Sequence, residues 1–216
     1  MAITRVGNLG RVFRDGESAL LVGIARLSVL YEDLRLEIDA IRLVHAKPED
    51  ERTSADTYRV MYFLRRALST LIEFRGGLTT VRTTPEFKSA VLTELDERHI
   101  GQADQFLQVH WGRLKELRNE FGGHINLPGV KFATEHFSNV VGSVTWNQAT
   151  SSWSLALECD FASHVVAGAI SSKLAKGTDV HAEVQTALSI IFGGFVKAQA
   201  AMVALVHAFL WNRFGR

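Results

Sequence analysis

The segment from Ala187 to Trp211 limits the fold more than any other, because it is almost entirely apolar and is interrupted by Lys197, Gln199 and His207. A membrane-spanning helix needs about 20 predominantly apolar residues, so the length permits one. Lys197 would then lie near the middle of the membrane, where a lysine costs roughly 2.5–3.5 kcal/mol on insertion scales. A helix buried in the centre of a bundle, or in a dimer interface, explains the run without that cost, and this is our interpretation.

Apolar residues at helical spacing predict several further helices along the chain. The first is expected over residues 17–44, with one apolar side formed by Leu20, Ile24, Leu27, Leu34, Ile38 and Ile41. The others are expected over about 54–74, over a short stretch after 84, and over 102–121, 161–174 and 180–214. Because these segments make up most of the sequence, we predict a mainly α fold, a helical bundle of four to five main helices.

Polar residues, prolines and glycines mark where these helices begin, weaken or end. Ser54 is a suitable N-cap for the second helix, and Thr84-Pro85 is a start signal for the short helix that follows. The pair Gly76-Gly77 is expected to weaken the second helix. The pair Gly122-Gly123 is expected to end the helix predicted over 102–121. Gly193-Gly194 lies within an apolar helix and predicts close packing against a neighbouring helix.

The pattern changes between residues 140 and 158, where apolar and polar residues alternate around a polar stretch. This alternation predicts a small β-hairpin, with Trp146 and Trp153 as a cross-strand pair. An isolated hairpin is only marginally stable, so we expect it to pack on the helices. We therefore predict one domain over residues 1–216, with the hairpin as an insertion near 140–158.

Charge and cysteine content limit the function and the compartment. The formal net charge is +1 over 216 residues, whereas proteins that coat nucleic acid irrespective of sequence are usually far more basic. Any contact with nucleic acid is therefore expected through a local patch. Cys159 is the single cysteine, which excludes an internal disulfide and suits a reducing compartment. The N-terminal residues lack a signal-peptide pattern, and we expect a cytoplasmic protein without a membrane anchor.

The end of the helix predicted over 102–121 contains the residues with the clearest chemistry. On an ideal helix Arg118 shares a face with Trp111 and Leu114, so we expect it to point toward the apolar stripe and to need a partner for its charge. Its planar guanidinium suits a phosphate. His124 can exchange a proton near neutral pH, and Asn119 can hold the imidazole or a phosphate oxygen by hydrogen bonds. Arginine and histidine together suffice for RNA cleavage without a metal.

This arrangement resembles the motif of the HEPN superfamily, an arginine followed directly by a polar residue and, a few positions later, by a histidine. Arg118 and Asn119 supply the first two residues, and His124 follows Arg118 after five intervening residues. The resemblance implies a compact helical domain that forms a homodimer and joins two motifs in one RNA-cleaving cleft, with no metal and no cofactor. Many members act as toxins or in phage defence, which implies an antitoxin or regulatory protein as a partner. Some members have a modified tyrosine where this chain has Asn126.

Other interpretations of the motif stay open. Arg118 can be a surface arginine whose stem packs on apolar residues and whose charge is tied to Glu120 or Glu94. His124 can bond the last carbonyls of the helix. The chain is then a non-catalytic helical module, related to HEPN domains, that binds nucleotide or a protein partner. A protein anchored to a membrane by residues 187–211 is a third alternative.

Basic residues elsewhere in the chain are candidates for an RNA path. The predicted RNA contacts are Arg65, Arg66, Arg75, Arg113 and Lys115, with Arg82 and Lys88 nearby in the sequence. A solvated helix face is the simpler explanation of the same charges. The histidines are scattered and no His-Glu-x-x-His motif occurs, so we expect no catalytic metal.

Overall fold

A computed structural model describes residues 18–119, 131, 135, 145–147, 152–154 and 180–211, and these residues are mainly helical. The helices are α1 (Ala19–His45), α2 (Ser54–Thr83), α3 (Pro85–Ser89), α4 (Glu94–Val109), α5 (Trp111–Leu117) and α6 (Val180–Leu205). A 3₁₀ helix, Glu49–Glu51, precedes α2, and a π-helical turn, Val206–Leu210, follows α6. The predicted mainly α, bundle-like class is confirmed.

Contacts between residues divide the chain into two compact units. Of the described residues, the first unit contains 18–35, 70–112 and 192–211. The second unit contains 36–69, 113–119 and 180–191, together with the shorter described stretches. The organisation as one domain over residues 1–216 stays a prediction.

The core of the first unit forms because each helical segment buries one face. The buried residues include Ile24 and Leu27 of α1, Leu71, Phe74, Leu78 and Val81 of α2, Ile100, Ala103 and Leu107 of α4, and Phe195, Ala198, Met202 and Leu205 of α6. Spacings of three, four and seven recur in these sets, as expected for one side of an α-helix. Fully burying one such aliphatic or aromatic side chain contributes about 1.5–3 kcal/mol, and this burial holds the four segments together.

Glycines let the helices of the first unit approach closely. A Cβ atom on Gly77 would lie 2.9 Å from Leu27 Cδ2, and a Cβ atom on Gly194 would lie 2.9 Å from Leu71 Cδ1. Neither contact leaves room for a larger residue without movement of the leucine. The close packing predicted for the glycine pair in α6 is thus confirmed. The glycine pair in α2 does not end that helix, which continues to Thr83.

The second unit has an apolar core, and α2 begins there at a capping box that contains the aspartate Asp56. Its buried apolar residues are Ile38, Ile41, Val44, Leu64, Ala67, Leu68, Leu114, Leu117, Ala187, Ile190 and Ile191. At the start of α2, the backbone N–H of Asp56 donates to Thr53 Oγ1 at 3.3 Å, and the backbone N–H of Thr53 donates to Asp56 Oδ2 at 3.1 Å. This is a reciprocal capping box, so Thr53 is the N-cap and the prediction of Ser54 is wrong by one residue.

The prediction of one helix over residues 102–121 is wrong, because two helices share this region. α4 begins earlier, at Glu94, where Thr93 Oγ1 caps the helix by accepting from the backbone N–H of Asp96 at 3.1 Å. His110 then leaves the helical conformation, with φ −89° and ψ 5°, and α5 starts after it. Thr93-x-x-Asp96 is itself a capping sequence, which explains the earlier start.

The start of α3 and the length of α6 agree with the sequence pattern. Thr84 caps α3, its side chain accepting from the backbone N–H of Phe87, and Pro85 occupies the first turn as predicted.

Of the described residues, one helical stretch, Gln185–Leu210, is long and apolar enough to cross a membrane by length and composition. Half of its most apolar part is buried within the protein, and a core helix meets the same test.

Two short strands occur in the region of the predicted hairpin. β1 (Thr145–Asn147) pairs antiparallel with β2 (Ser152–Ser154), and Trp146 lies opposite Trp153. The rest of the segment 140–158 lies outside the described residues, as does the helix predicted over 161–174.

Candidate functional site

The motif residues Arg118 and Asn119 follow α5 directly in a π-helical turn, and both are exposed. The prediction that Arg118 points toward the apolar stripe is wrong, because Arg118 is exposed whereas Leu114 and Leu117 are buried. His124, the third motif residue, lies outside the described residues.

The end of α5 presents further polar side chains beside Arg118. Lys115 is exposed and precedes Arg118 by three residues, a spacing that places two side chains on the same side of a helix. Arg113 donates to Glu116 Oε2 at 2.7 Å, so its charge is balanced within the helix. The structure therefore brings three predicted site residues, Lys115, Arg118 and Asn119, onto one exposed helix end.

The other predicted RNA contacts of the second unit have a different setting. Arg66 is exposed, and its Nε lies 3.6 Å from Oε1 of Glu37, whose side chain is buried. A buried carboxylate needs a compensating charge, and Arg66 supplies one to Glu37. Arg65 is half-buried on the same helix.

Arg75 and Arg82 belong to the first unit and contact neighbouring side chains there. Arg75 donates to the side-chain oxygen of Gln108, and its Cζ lies 4.0 Å from the ring centroid of Trp111. This distance is that of a cation–π contact, which a guanidinium makes well. Arg82 forms an ion pair with Asp104. Both guanidinium groups thus contribute to packing within the unit.

The part of the chain that the structure describes contains no group of three or more His, Cys, Asp or Glu side chains that could hold a metal ion, but it does contain a histidine–aspartate pair. His207 Nδ1 lies 2.9 Å from Asp96 Oδ2. Asp96 is 4% exposed, and Thr93 Oγ1 donates to the same carboxylate oxygen at 2.7 Å. When Nδ1 donates to Asp96, Nε2 of His207 is left as a hydrogen-bond acceptor of fixed direction. The imidazole is therefore oriented by a carboxylate that is itself held in place.

His207 lines a pocket of about 460 Å³ in the first unit. The other lining residues are Ser28, Tyr31, Glu32, Met202, Val203, Val206 and Trp211. Most of these side chains are aliphatic or aromatic, and the π-helical turn after α6 supplies two of the lining residues. Pockets of this size suit small ligands, and single π-helical turns are frequent at functional sites.

The sequence pattern does not predict the pair formed by Asp96 and His207. The two residues are 111 positions apart, and they meet because α4 packs against the end of the last helix. A local signal exists for Asp96 alone, since Thr93-x-x-Asp96 has the spacing of a capping box. His207 is recognisable only as one of the polar interruptions in an apolar run.

The described residues thus form two candidate sites. One is the exposed end of α5 with Arg118 and Asn119, and the other is the pocket lined by His207. Comparisons of the chain with models of protein families, with curated proteins and with solved structures found no match.

Proposed function

We propose that the chain is a metal-independent RNA endonuclease of HEPN type that acts as a homodimer. The observation that supports this most is the exposed end of α5, where Lys115, Arg118 and Asn119 are accessible together. A guanidinium there can donate two parallel hydrogen bonds to phosphate oxygens, and the adjacent amide can donate another. The exposed lysine adds positive charge for the RNA backbone.

In the proposed reaction the 2′-oxygen of a ribose attacks the neighbouring phosphorus, and the bond from phosphorus to the 5′-oxygen of the next nucleotide breaks. His124 accepts the proton of the 2′-hydroxyl, and the same residue of a second copy donates a proton to the leaving 5′-oxygen. Arg118 stabilises the added negative charge on the phosphorane-like transition state, and Asn119 orients the reacting groups. The products are a 2′,3′-cyclic phosphate and a 5′-hydroxyl, so no oxidant or other reactant is needed.

An enzyme that cuts cellular RNA needs control. We infer that the protein acts in the cytoplasm as a toxin or in phage defence, with an antitoxin or another regulatory protein as its partner. The support for this role is the resemblance of Arg118, Asn119 and His124 to the HEPN motif. Homodimerisation is tested by light scattering after gel filtration, where the proposal expects twice the chain mass of 24.0 kDa.

A second candidate is a non-catalytic helical module that binds nucleotide or a protein partner. The observation that favours it is the place of Lys115 and Arg118 at the C-terminal end of α5. Cations there offset the partial negative charge of the last carbonyls, and this role needs no phosphate.

Cleavage of a labelled structured RNA by the purified protein in EDTA separates the two candidates. The wild-type protein is expected to cleave, and Arg118→Ala is expected to lower the rate about 10²–10³-fold, the loss typical of removing one transition-state donor. Arg98→Ala is the matched control, because Arg98 is an exposed arginine of α4. Equal rates for wild type and Arg118→Ala would remove Arg118 from the proposed mechanism. RNA binding without cleavage by the folded wild-type protein would favour the binding module.

A further inference from the structure

We propose that the pocket lined by His207 binds a small organic amine in its protonated form, an ammonium group on an apolar or aromatic body. The proposal concerns the first unit and does not depend on RNA cleavage. It follows from the hydrogen-bonding character, the charge and the shape of the pocket wall.

Three polar side chains of the pocket wall, Ser28, Glu32 and His207, offer hydrogen-bond acceptors to a ligand, while the hydroxyl of Tyr31 and the indole N–H of Trp211 can donate. Ser28 Oγ donates its hydrogen to the carbonyl oxygen of Ile24 at 2.9 Å, so it offers a ligand only lone pairs. When Nδ1 of a neutral His207 donates to Asp96, the nitrogen left for a ligand is the acceptor Nε2. Glu32, which accepts from Arg35 Nε at 2.8 Å through Oε2, is an acceptor by nature. A ligand that supplies several N–H donors therefore complements this wall.

The charges at the pocket favour a cation. Glu32 lies in the lining, where it pairs with Arg35, and Asp96 lies directly behind His207. Among the residues that the structure describes, the lining includes neither lysine nor arginine. An anionic ligand would meet two carboxylates, and a neutral alcohol would gain hydrogen bonds without charge attraction. An ammonium group has three N–H donors as well as a positive charge, so it matches both properties.

The remaining wall suits an apolar body of limited size. Met202 is buried, and the rings of Tyr31 and Trp211 are half-buried. The Tyr31 ring is held in a stacked contact with Phe195, with ring centroids 6.0 Å apart. Aromatic rings attract cations through their faces and bury apolar surface, so they can serve both parts of the ligand. A volume of about 460 Å³ accommodates one aromatic ring with a short chain.

Isothermal titration calorimetry of the full chain at neutral pH tests the proposal with two probe amines, 2-phenylethylamine and tryptamine. Both are protonated there, as the amine of lysine is. We expect saturable binding of both amines and no binding of 3-phenylpropionate. The isosteric 2-phenylethanol is expected to bind about tenfold more weakly than the amines, because it loses a hydrogen bond to a charged group.

Two pairs of variants locate the binding. Val203→Trp fills the pocket from a position that is 62% exposed, and it is expected to abolish binding. Its control is Val196→Trp, because Val196 is 54% exposed seven residues earlier on the same helix and does not line the pocket. Glu32→Gln is expected to weaken binding about threefold, the range for an exposed ion pair. Glu116→Gln is its control, since Glu116 likewise pairs with an arginine three residues away.

The outcomes either support or overturn the proposal. Amine binding that is lost in Val203→Trp and kept in Val196→Trp supports it. No saturable binding of either amine at millimolar concentration, equal affinity for amine, alcohol and carboxylate, or wild-type affinity in the folded Val203→Trp variant overturns it.

Discussion

α2 and α4 begin with the same four-residue sequence pattern, a threonine followed three positions later by an aspartate. The hydroxyl oxygens of Thr53 and Thr93 accept from the backbone N–H of Asp56 and Asp96, at 3.3 and 3.1 Å. Both aspartates are buried. The hydrogen bonds made by the two threonine hydroxyls are therefore nearly the same. In α2 the backbone N–H of Thr53 also donates to Asp56.

The long-range partners of the two aspartates differ, and so do their consequences. Asp56 lies 2.9 Å from Lys47 Nζ and 3.2 Å from Arg59 Nη1, so it joins two cations within the second unit. Asp96 instead orients His207, a side chain at the wall of a pocket. A capping aspartate thus pairs with two cations in one unit and belongs to a candidate binding site in the other, depending on which side chains lie beside it.

The largest expected effect on stability comes from removing the aspartate that holds His207. Asp96→Ala is expected to lower the free energy of unfolding by about 2 kcal/mol, because a hydrogen bond to a charged group contributes roughly 1.5–3 kcal/mol and Thr93 loses a second one. Asp50→Ala, at an exposed position, is the control and is expected to stay within about 0.5 kcal/mol. Urea unfolding measures both variants. An Asp96→Ala variant as stable as the wild type would show that the pair with His207 does not stabilise the fold.

A smaller loss of stability, equal at the two positions, is expected when either capping threonine is replaced. Thr93→Val and Thr53→Val are each expected to cost about 1 kcal/mol, the usual loss for an N-cap side chain. Thr79→Val serves as control, because Thr79 is exposed within α2 and caps no helix start. A clear difference between Thr93→Val and Thr53→Val in urea unfolding would contradict the equivalence of the two helix starts.

The stability of the second unit is expected to depend on pH through the protonation of Asp56. The hydrogen bond from Lys47, together with the backbone N–H of Thr53, lowers the pKa of Asp56 from 3.8 to about 2 against the opposing effect of burial. Because folding lowers the pKa of Asp56, ionised Asp56 stabilises the folded state fully at a pH above about 3.9, the pKa of an aspartate in the unfolded chain. This stabilisation is lost as the pH falls toward 2. Asp56→Asn should therefore differ from wild type at pH 5 and approach it as pH falls from 4 to 2. A constant difference across that range would contradict the lowered pKa.

The smallest effect concerns the exposed end of α5. If Lys115 contacts a phosphate, Lys115→Ala lowers the slope of log affinity for RNA against log salt concentration by about 0.7–1. Arg98→Ala is the control and leaves the slope unchanged. Fluorescence anisotropy with a labelled RNA measures both slopes, and equal slopes for Lys115→Ala and wild type would exclude Lys115 from the RNA path.

Features that depend on neighbouring residues could be predicted from the sequence, whereas those that depend on distant partners could not. The helical spacing of apolar residues predicted α1, and Thr84-Pro85 predicted the start of α3. The start of α4 was missed although Thr93-x-x-Asp96 encodes it, because apolar spacing alone gives no helix boundary. The exposure of Arg118 follows from no residue pattern, and the pairing of Asp96 with His207 depends on helix packing.

The chemistry proposed for His124 is tested most directly by the ends of RNA products formed in EDTA. The wild-type protein should release 2′,3′-cyclic phosphate ends, and His124→Ala should cleave about 10²–10⁴-fold more slowly, the range for loss of general acid–base catalysis. His45→Ala, an exposed histidine at the end of α1, should retain the full rate. Cleavage at the wild-type rate by folded His124→Ala, or products with 3′-hydroxyl ends, would contradict a HEPN-type ribonuclease.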